Sequence, residues 1–179
     1  FRSSRVLLTA LELSVFGVLA PGEMTSAAVA RALGTDPRAT DRLLNALVAL
    51  GFLSKTADRF SNCPLAQCFL VPGQPDYLAS LHHIAHLWDS WSTLTQAVRA
   101  GKSVLLPLPA EQELGWTQAF IEAMHEFARE RAPHVLPLID FTRVERVLDV
   151  GGGSGAYSIA FARAYPRIRG VVFDLPRVV

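Results

Sequence analysis

The sequence predicts an α-helical winged-helix portion followed by the start of an α/β unit of the Rossmann-like, doubly wound kind. Three observations carry this. Val147-Leu148-Asp149-Val150 is a short β-prone run. The glycine stretch Gly151-Gly152-Gly153-Ser154-Gly155 follows at once, and Ala156 to Tyr165 then reads as a helix. Strand, glycine turn and helix open a βαβ unit. Gly170-Val171-Val172-Phe173 supplies a second apolar strand, ending in Asp174. Upstream, helices and a small hairpin come in the order of a winged helix.

Val6 to Leu19 carries apolar residues at 7, 8, 11, 15, 18 and 19, a helical stripe. Pro21-Gly22 ends it. Thr25 is placed to cap a helix through Leu33, which Gly34 stops. Asp36 caps the next, with Pro37 at its first position and Gly51 after Leu50. Phe52-Leu53-Ser54-Lys55 and Arg59-Phe60-Ser61 flank Thr56-Ala57-Asp58, a hairpin pattern. After the turn Pro72-Gly73-Gln74-Pro75, one long amphipathic helix is expected from about Tyr77 to Ala100, with Gly101 as its stop. A proline-containing loop is expected over 104–109. A helix from Glu111 to Arg131 follows, with Trp116, Phe120, Ala123, Met124 and Phe127 on one side, then a short helix from Pro133 to Asp140.

Composition narrows the function classes. Half of the 179 residues are apolar and 18% are charged, a globular balance. Seventeen basic residues against sixteen acidic ones give no electrostatic case for nucleic acid or an anionic membrane. Cys63 and Cys68 are too few for a disulfide scaffold, and no Cys/His ligand cluster appears. His82 and His86 stand at i, i+4, but no glutamate accompanies them as in the zinc-protease motif; a polar patch is the simpler reading, and no metal is expected. No run of 18 apolar residues and no signal peptide is evident, so a cytoplasmic location is the default expectation. Two parallel strands alone would leave both sheet faces open, and the first residue is Phe1 rather than Met. The sequence therefore reads as a truncated piece of a longer chain.

The glycine bend points to a ligand. Glycines there allow a sharp turn and leave bare main chain for a ligand to lie against. The following helix directs its first amide N–H groups at that ligand. Asp174 lies about 20 residues past the glycines, where an acid accepts hydrogen bonds from a ribose diol. Spacing alone fits both Gly-x-Gly-x-Gly and the dinucleotide fingerprint with Ala156 at its last position. Asp149, just before the first glycine, favours a ligand with a cationic end over a pyrophosphate. S-adenosylmethionine, with an ammonium, a sulfonium and no phosphate, meets that description.

Leu148-Asp149-Val150-Gly151-Gly152-Gly153-Ser154-Gly155, then Tyr165-Pro166, then Phe173-Asp174-Leu175-Pro176, resemble the cofactor motifs of the plant-caffeate and acetylserotonin type O-methyltransferases. The resemblance runs over nearly the whole chain. It implies a helical winged-helix dimerisation domain over residues 1–100 and linking helices that form a substrate-cleft wall over 101–145. The first β-α-β unit of an S-adenosylmethionine-binding domain would occupy 146–179. It implies methyl transfer from S-adenosylmethionine to a hydroxyl of a small aromatic or polyketide-like molecule, in a homodimer. Cofactor contacts would come from Asp149, Gly151, Gly152, Gly153, Gly155, Asp174 and Leu175. Acceptor contacts would come from Leu81, His82, Phe120 and Met124, with His82 hydrogen-bonding a phenol and Phe120 and Met124 sandwiching a planar ring. Ala128 stands where the plant enzymes often have a serine near the cofactor, and Arg129 follows it. The family's catalytic base is a histidine in the second half of the methyltransferase domain. His82, His83, His86, His125 and His134 are the histidines here and none occupies that position, so no catalytic residue is assigned.

Other readings stay open. A nicotinamide-dependent dehydrogenase would place a pyrophosphate at Gly151 to Ala156. A winged-helix DNA-binding regulator would read bases with the helix from Pro37 to Leu50. There Arg38 and Arg42 are offset by Asp36 and Asp41, and Lys55 and Arg59 of the hairpin by Asp58, which favours packing and dimerisation. Relatives with the same fold hydroxylate or decarboxylate instead of methylating.

Overall fold

The computed structural model describes residues 1–105 and 110–178, so most of the expected proline-containing loop lies outside the described residues. The chain divides into two compact units, Phe1–Ala85 and His86–Val179.

The first unit is built as a winged helix. Helices α1 (Arg2–Glu12) and α2 (Val15–Val18) replace the single helix expected over 6–19. Ser14 between them takes a left-handed conformation, φ +61°, which ends α1 while leaving the apolar stripe in register. Thr25 caps α3 (Ser26–Leu33) by accepting from the Ala28 amide at 3.2 Å. Asp36 caps α4 (Pro37–Ala49) by accepting from the Ala39 amide at 2.8 Å. Each such cap holds about 1 kcal/mol of helix stability. Strands β2 (Leu53–Thr56) and β3 (Arg59–Asn62) form the expected hairpin. A two-residue strand β1 (Met24–Thr25), which is too short to leave a sequence pattern, pairs antiparallel with β3. Helix α5 (Pro64–Phe69) follows, with Cys63 at its N-cap. Phe16, Phe60, Leu19, Leu44, Leu47, Val15 and Val29 are the largest fully buried side chains and centre the core of this unit. Burial of each contributes roughly 1.5–3 kcal/mol.

The cations that a DNA reader would need are engaged locally. Lys55 donates to Asn45 Oδ1 at 2.9 Å and sits over the Phe60 ring. Arg59 pairs with Glu23 at 3.7 Å and donates to its carbonyl.

The long helix expected over 77–100 is two helices, α6 (Ser80–Ser92) and α7 (Leu94–Ala100). The reason is local. Ser92 Oγ donates back to the Trp88 carbonyl at 2.7 Å and Thr93 Oγ1 to the Ser90 carbonyl at 2.8 Å. Such hydroxyl-to-backbone bonds compete with the helical ladder. Gly101 ends α7 in the left-handed conformation, as its position predicts.

In the second unit, α8 (Ala110–Val135) runs through Pro133, so the separate helix expected from Pro133 is only a 3-10 turn, Leu136–Leu138. A proline near the end of a helix forfeits one bond of the ladder without ending it at once. Strands β4 (Arg146–Val150) and β5 (Arg169–Phe173) pair in parallel, with Leu148 opposite Val171 and Val150 opposite Phe173. Helix α9 (Ala156–Ala164) crosses between them. Ala123, Ala128, Ala132 and Ala156 are buried in this unit, and α8 and α9 are in contact. Phe141 packs against Phe161 and Tyr165 at 5.0 and 4.8 Å, tying the approach to β4 onto α9. Among the described residues, no helix is long and apolar enough to cross a membrane.

Candidate active site

A cavity of about 750 Å³ lies between α8, the glycine bend and the residues after β5. That is within the usual size of a small-molecule site. It belongs wholly to the second unit.

One wall is the bend. Three of its glycines, Gly151, Gly153 and Gly155, have φ of +71°, +55° and +69°, a region costly for residues with a Cβ. Gly152 is needed for a different reason. A Cβ there would fall 2.7 Å from Asp149 Cγ and 2.9 Å from both Asp149 Oδ2 and Val172 Cγ1. Bare main chain is thus a steric requirement beside the carboxylate. Backbone bonds fix the bend: Gly151 N–H donates to the Phe173 carbonyl at 2.8 Å, and Gly155 N–H to the Gly152 carbonyl at 2.8 Å.

The two expected carboxylates both face this cavity. Asp149 Oδ2 accepts from the buried Ser158 hydroxyl at 2.8 Å, which orients it from the first turn of α9. Asp174 Oδ2 accepts from the Gly153 amide at 2.7 Å, and its Oδ1 accepts from the Leu175 amide at 2.7 Å. A carboxylate offers about four lone-pair positions, so Asp174 retains acceptors for a ligand after bracing the bend. The bend opens onto the N-terminal end of α9, where backbone N–H groups carry partial positive charge.

The facing wall is α8. Trp116, Phe120, Met124, Phe127 and Ala128 recur at three- and four-residue steps and line the cavity with three aromatic rings, a thioether and a methyl group. Trp116 is stacked on the His86 ring at 5.8 Å between centroids. Ala123, expected on the same side, is instead fully buried. Two lining residues, Arg177 and Glu113, form an ion pair at 3.2 Å.

The structure therefore brings together Asp149, Gly151, Gly152, Gly153, Asp174, Leu175, Phe120 and Met124. Gly155 sits just behind the lining, buried, as the N-cap of α9. Leu81 and His82 belong to the first unit, where His82 Nε2 is 2.6 Å from the Tyr77 hydroxyl. No group of three or more His, Cys, Asp or Glu fit to hold a metal occurs among the described residues.

Sequence reasoning missed three contributors. Ser158 orients Asp149. His125 Nδ1 lies 2.7 Å from Ser154 Oγ, a side-chain tie between α8 and the bend. Arg131 lines the cavity with its guanidinium 5.7 Å from the Phe127 ring centre. Only Arg131 left a signal, since 124, 128 and 131 fall on one helical face.

Residues 1–72 match the O-methyltransferase dimerisation domain and residues 91–179 the O-methyltransferase domain. The chain is 32% identical over 182 residues to the 3-hydroxy-5-methyl-1-naphthoate 3-O-methyltransferase of Streptomyces sahachiroi, covering 98% of this chain and 52% of that protein. A solved O-methyltransferase family protein from Burkholderia thailandensis superposes with a TM-score of 0.81 at 30% identity, over 99% of this chain and 54% of that one. Human N-acetylserotonin methyltransferase, solved with S-adenosylmethionine, gives 0.77 at 28% identity over 98% and 56%. The chain spans about half the length of these relatives. With a dimerisation domain and a Rossmann-like methyltransferase domain matched in that order along it, the chain belongs to the O-methyltransferase family.

Proposed function

We propose that the cavity is the S-adenosylmethionine site of an O-methyltransferase acting on a small aromatic or polyketide-like hydroxyl compound. The observation that carries this is the pairing of walls: a glycine bend flanked by two carboxylates on one side, and aromatic rings with a thioether on the other. The residues fit the cofactor. A Cβ on Gly152 would press on Asp149 and Val172, so the bend keeps bare main chain in the cavity lining, where a ligand would meet it. Asp174 has acceptors left for a ribose diol, and Asp149 faces the cavity with a negative charge suited to a cationic ligand. When bound, the cofactor supplies an electrophilic methyl group on sulfur.

The chain's own residues do the rest of what the site needs. Asp149, Asp174 and the bend hold and orient the donor. Phe120, Met124, Trp116 and Phe127 exclude water and present flat, polarisable surfaces to a planar acceptor. Such positioning is what an in-line displacement demands, since donor and acceptor atoms must meet at about 3–3.5 Å. The Streptomyces sahachiroi relative is named for a hydroxylated naphthoate, a planar acceptor of this kind. The first unit, matched to a dimerisation domain, pairs with a second copy, and the engaged cations of its hairpin support that use over DNA reading.

Calorimetric titration of the full-length protein tests the reading. Saturable binding of S-adenosylmethionine or S-adenosylhomocysteine, with no binding of NADH or duplex DNA, is the expected result. Binding of NADH in preference to either would overturn it.

A further inference from the structure

We propose that Arg131 receives the carboxylate at the amino-acid end of the cofactor; this rests on the cofactor reading above. The cavity is lined by three carboxylates, Glu113, Asp149 and Asp174, and by two cations, Arg131 and Arg177. Arg177 is paired with Glu113. Among the described residues, Arg131 has no ion-pair partner. Its guanidinium carbon lies 5.7 Å from the Phe127 ring centre, and a guanidinium resting on a ring face keeps its N–H edge for a bidentate contact.

The chemistry of the ligand demands such a group. The cofactor's amino-acid end carries an ammonium and a carboxylate. Asp149 suits the ammonium and would repel the carboxylate. A carboxylate withdrawn from water needs charged or hydrogen-bonding donors, and an arginine fork is the best match to its geometry. The helix wall beside the bend offers none at Ala128, which is buried and apolar. Arg131 follows three residues later on the same helical face and also lines the cavity. Arg129, the nearer cation in sequence, does not serve. It lines a separate hollow with Ala132, Pro133, Leu136, Ile159 and Arg163.

The test uses two ligands on the full-length protein by calorimetry. S-adenosylhomocysteine carries the amino-acid end, whereas 5′-methylthioadenosine keeps the nucleoside and the thioether but lacks it. Arg131→Ala is expected to weaken S-adenosylhomocysteine by roughly 10- to 100-fold, the worth of a charge-assisted pair, and to leave methylthioadenosine within about twofold. Arg131→Lys should fall between, and Arg129→Ala should change neither. Equal weakening of both ligands by Arg131→Ala, or of neither, refutes the assignment. A wild-type protein that binds neither ligand refutes the cofactor reading itself, and the assignment with it.

Discussion

Replacing Asp174 separates the bracing of the bend from the ribose binding proposed for the same side chain. One carboxylate oxygen holds the Gly153 amide at 2.7 Å and the other holds the Leu175 amide at 2.7 Å. Asp174 also lines the cavity, and two accepted bonds leave about two of its lone-pair positions unused. Asp174→Ala removes the ribose acceptors and also releases the bend, so its effect on binding has two sources. Hydrogen bonds to a charged acceptor are worth about 1.5–3 kcal/mol each, so losing two toward a ribose diol costs roughly 3 kcal/mol or more, a factor of at least about 100 in affinity. Asp174→Asn keeps one carbonyl oxygen for the Gly153 amide, removes the charge and half of the acceptors, and turns its NH2 toward the Leu175 amide, so that one brace is lost. It should therefore keep the Gly153 side of the bend and still lose about tenfold in affinity. The assay is calorimetric titration with S-adenosylhomocysteine, with thermal melting alongside. Asp174→Asn should lose about 1–3 kcal/mol of stability, the worth of the one backbone bond it gives up, and stay above Asp174→Ala, which gives up both. Affinity unchanged within threefold in that variant would refute the ribose assignment and leave Asp174 as a brace for the bend alone.

Two further outcomes follow from the geometry. Gly152→Ala places a Cβ within 3 Å of Asp149 and of Val172, so it should abolish measurable S-adenosylhomocysteine binding and cost about 1–3 kcal/mol of stability by overpacking; Gly151→Ala, with open space at its Cβ, should show only the cost of its positive φ, about 1–2 kcal/mol. Equal affinities in the two variants would show that the contact at Gly152 is not what shapes the site. Burial holds the His83 imidazole below its ordinary pKa of 6.5, so the unfolded chain takes up the proton first as pH falls; stability present above that value is lost below it, and melting against pH should show His83→Gln with a shallower acid-side decline.

The fold was legible where sequence signals are local. Thr25, Asp36 and Gly101 each end or begin a helix through their own side chain or conformation, and all three do so in the structure. Breaks set by non-glycine residues were not legible. Ser14 adopts a left-handed φ that serine seldom takes, and Thr93 ends a ladder through hydroxyl bonds that many helical threonines never form. Strand β1 gains its pairing from β3, so its two residues carry no pattern of their own. In the site, the glycines and both carboxylates were readable because turn and charge demands fix residue type at short range. His125 and Ser154 meet across 29 positions, and no periodicity announces such a pair.

That pair bears on how the two walls of the cavity stay in register. The bend belongs to the β-α-β unit, whereas Phe120 and Met124 belong to a helix outside it. Any slide of α8 against α9 would change the separation between Phe120 and Met124 and the bend, the separation on which the proposed methyl transfer would depend. Small buried side chains on both helices permit close approach but do not fix position along the axis, since alanine offers no directional contact. A directional tie does. His125 adjoins Met124 in sequence and meets Ser154 between two glycines of the bend, so its hydrogen bond ties the α8 wall of the cavity to the bend. Asp174 fastens the other side of the same bend to the end of β5. The bend is therefore held from the sheet and from α8 at once. This explains how a loop of glycines, intrinsically the most mobile kind of backbone, can serve as a rigid wall.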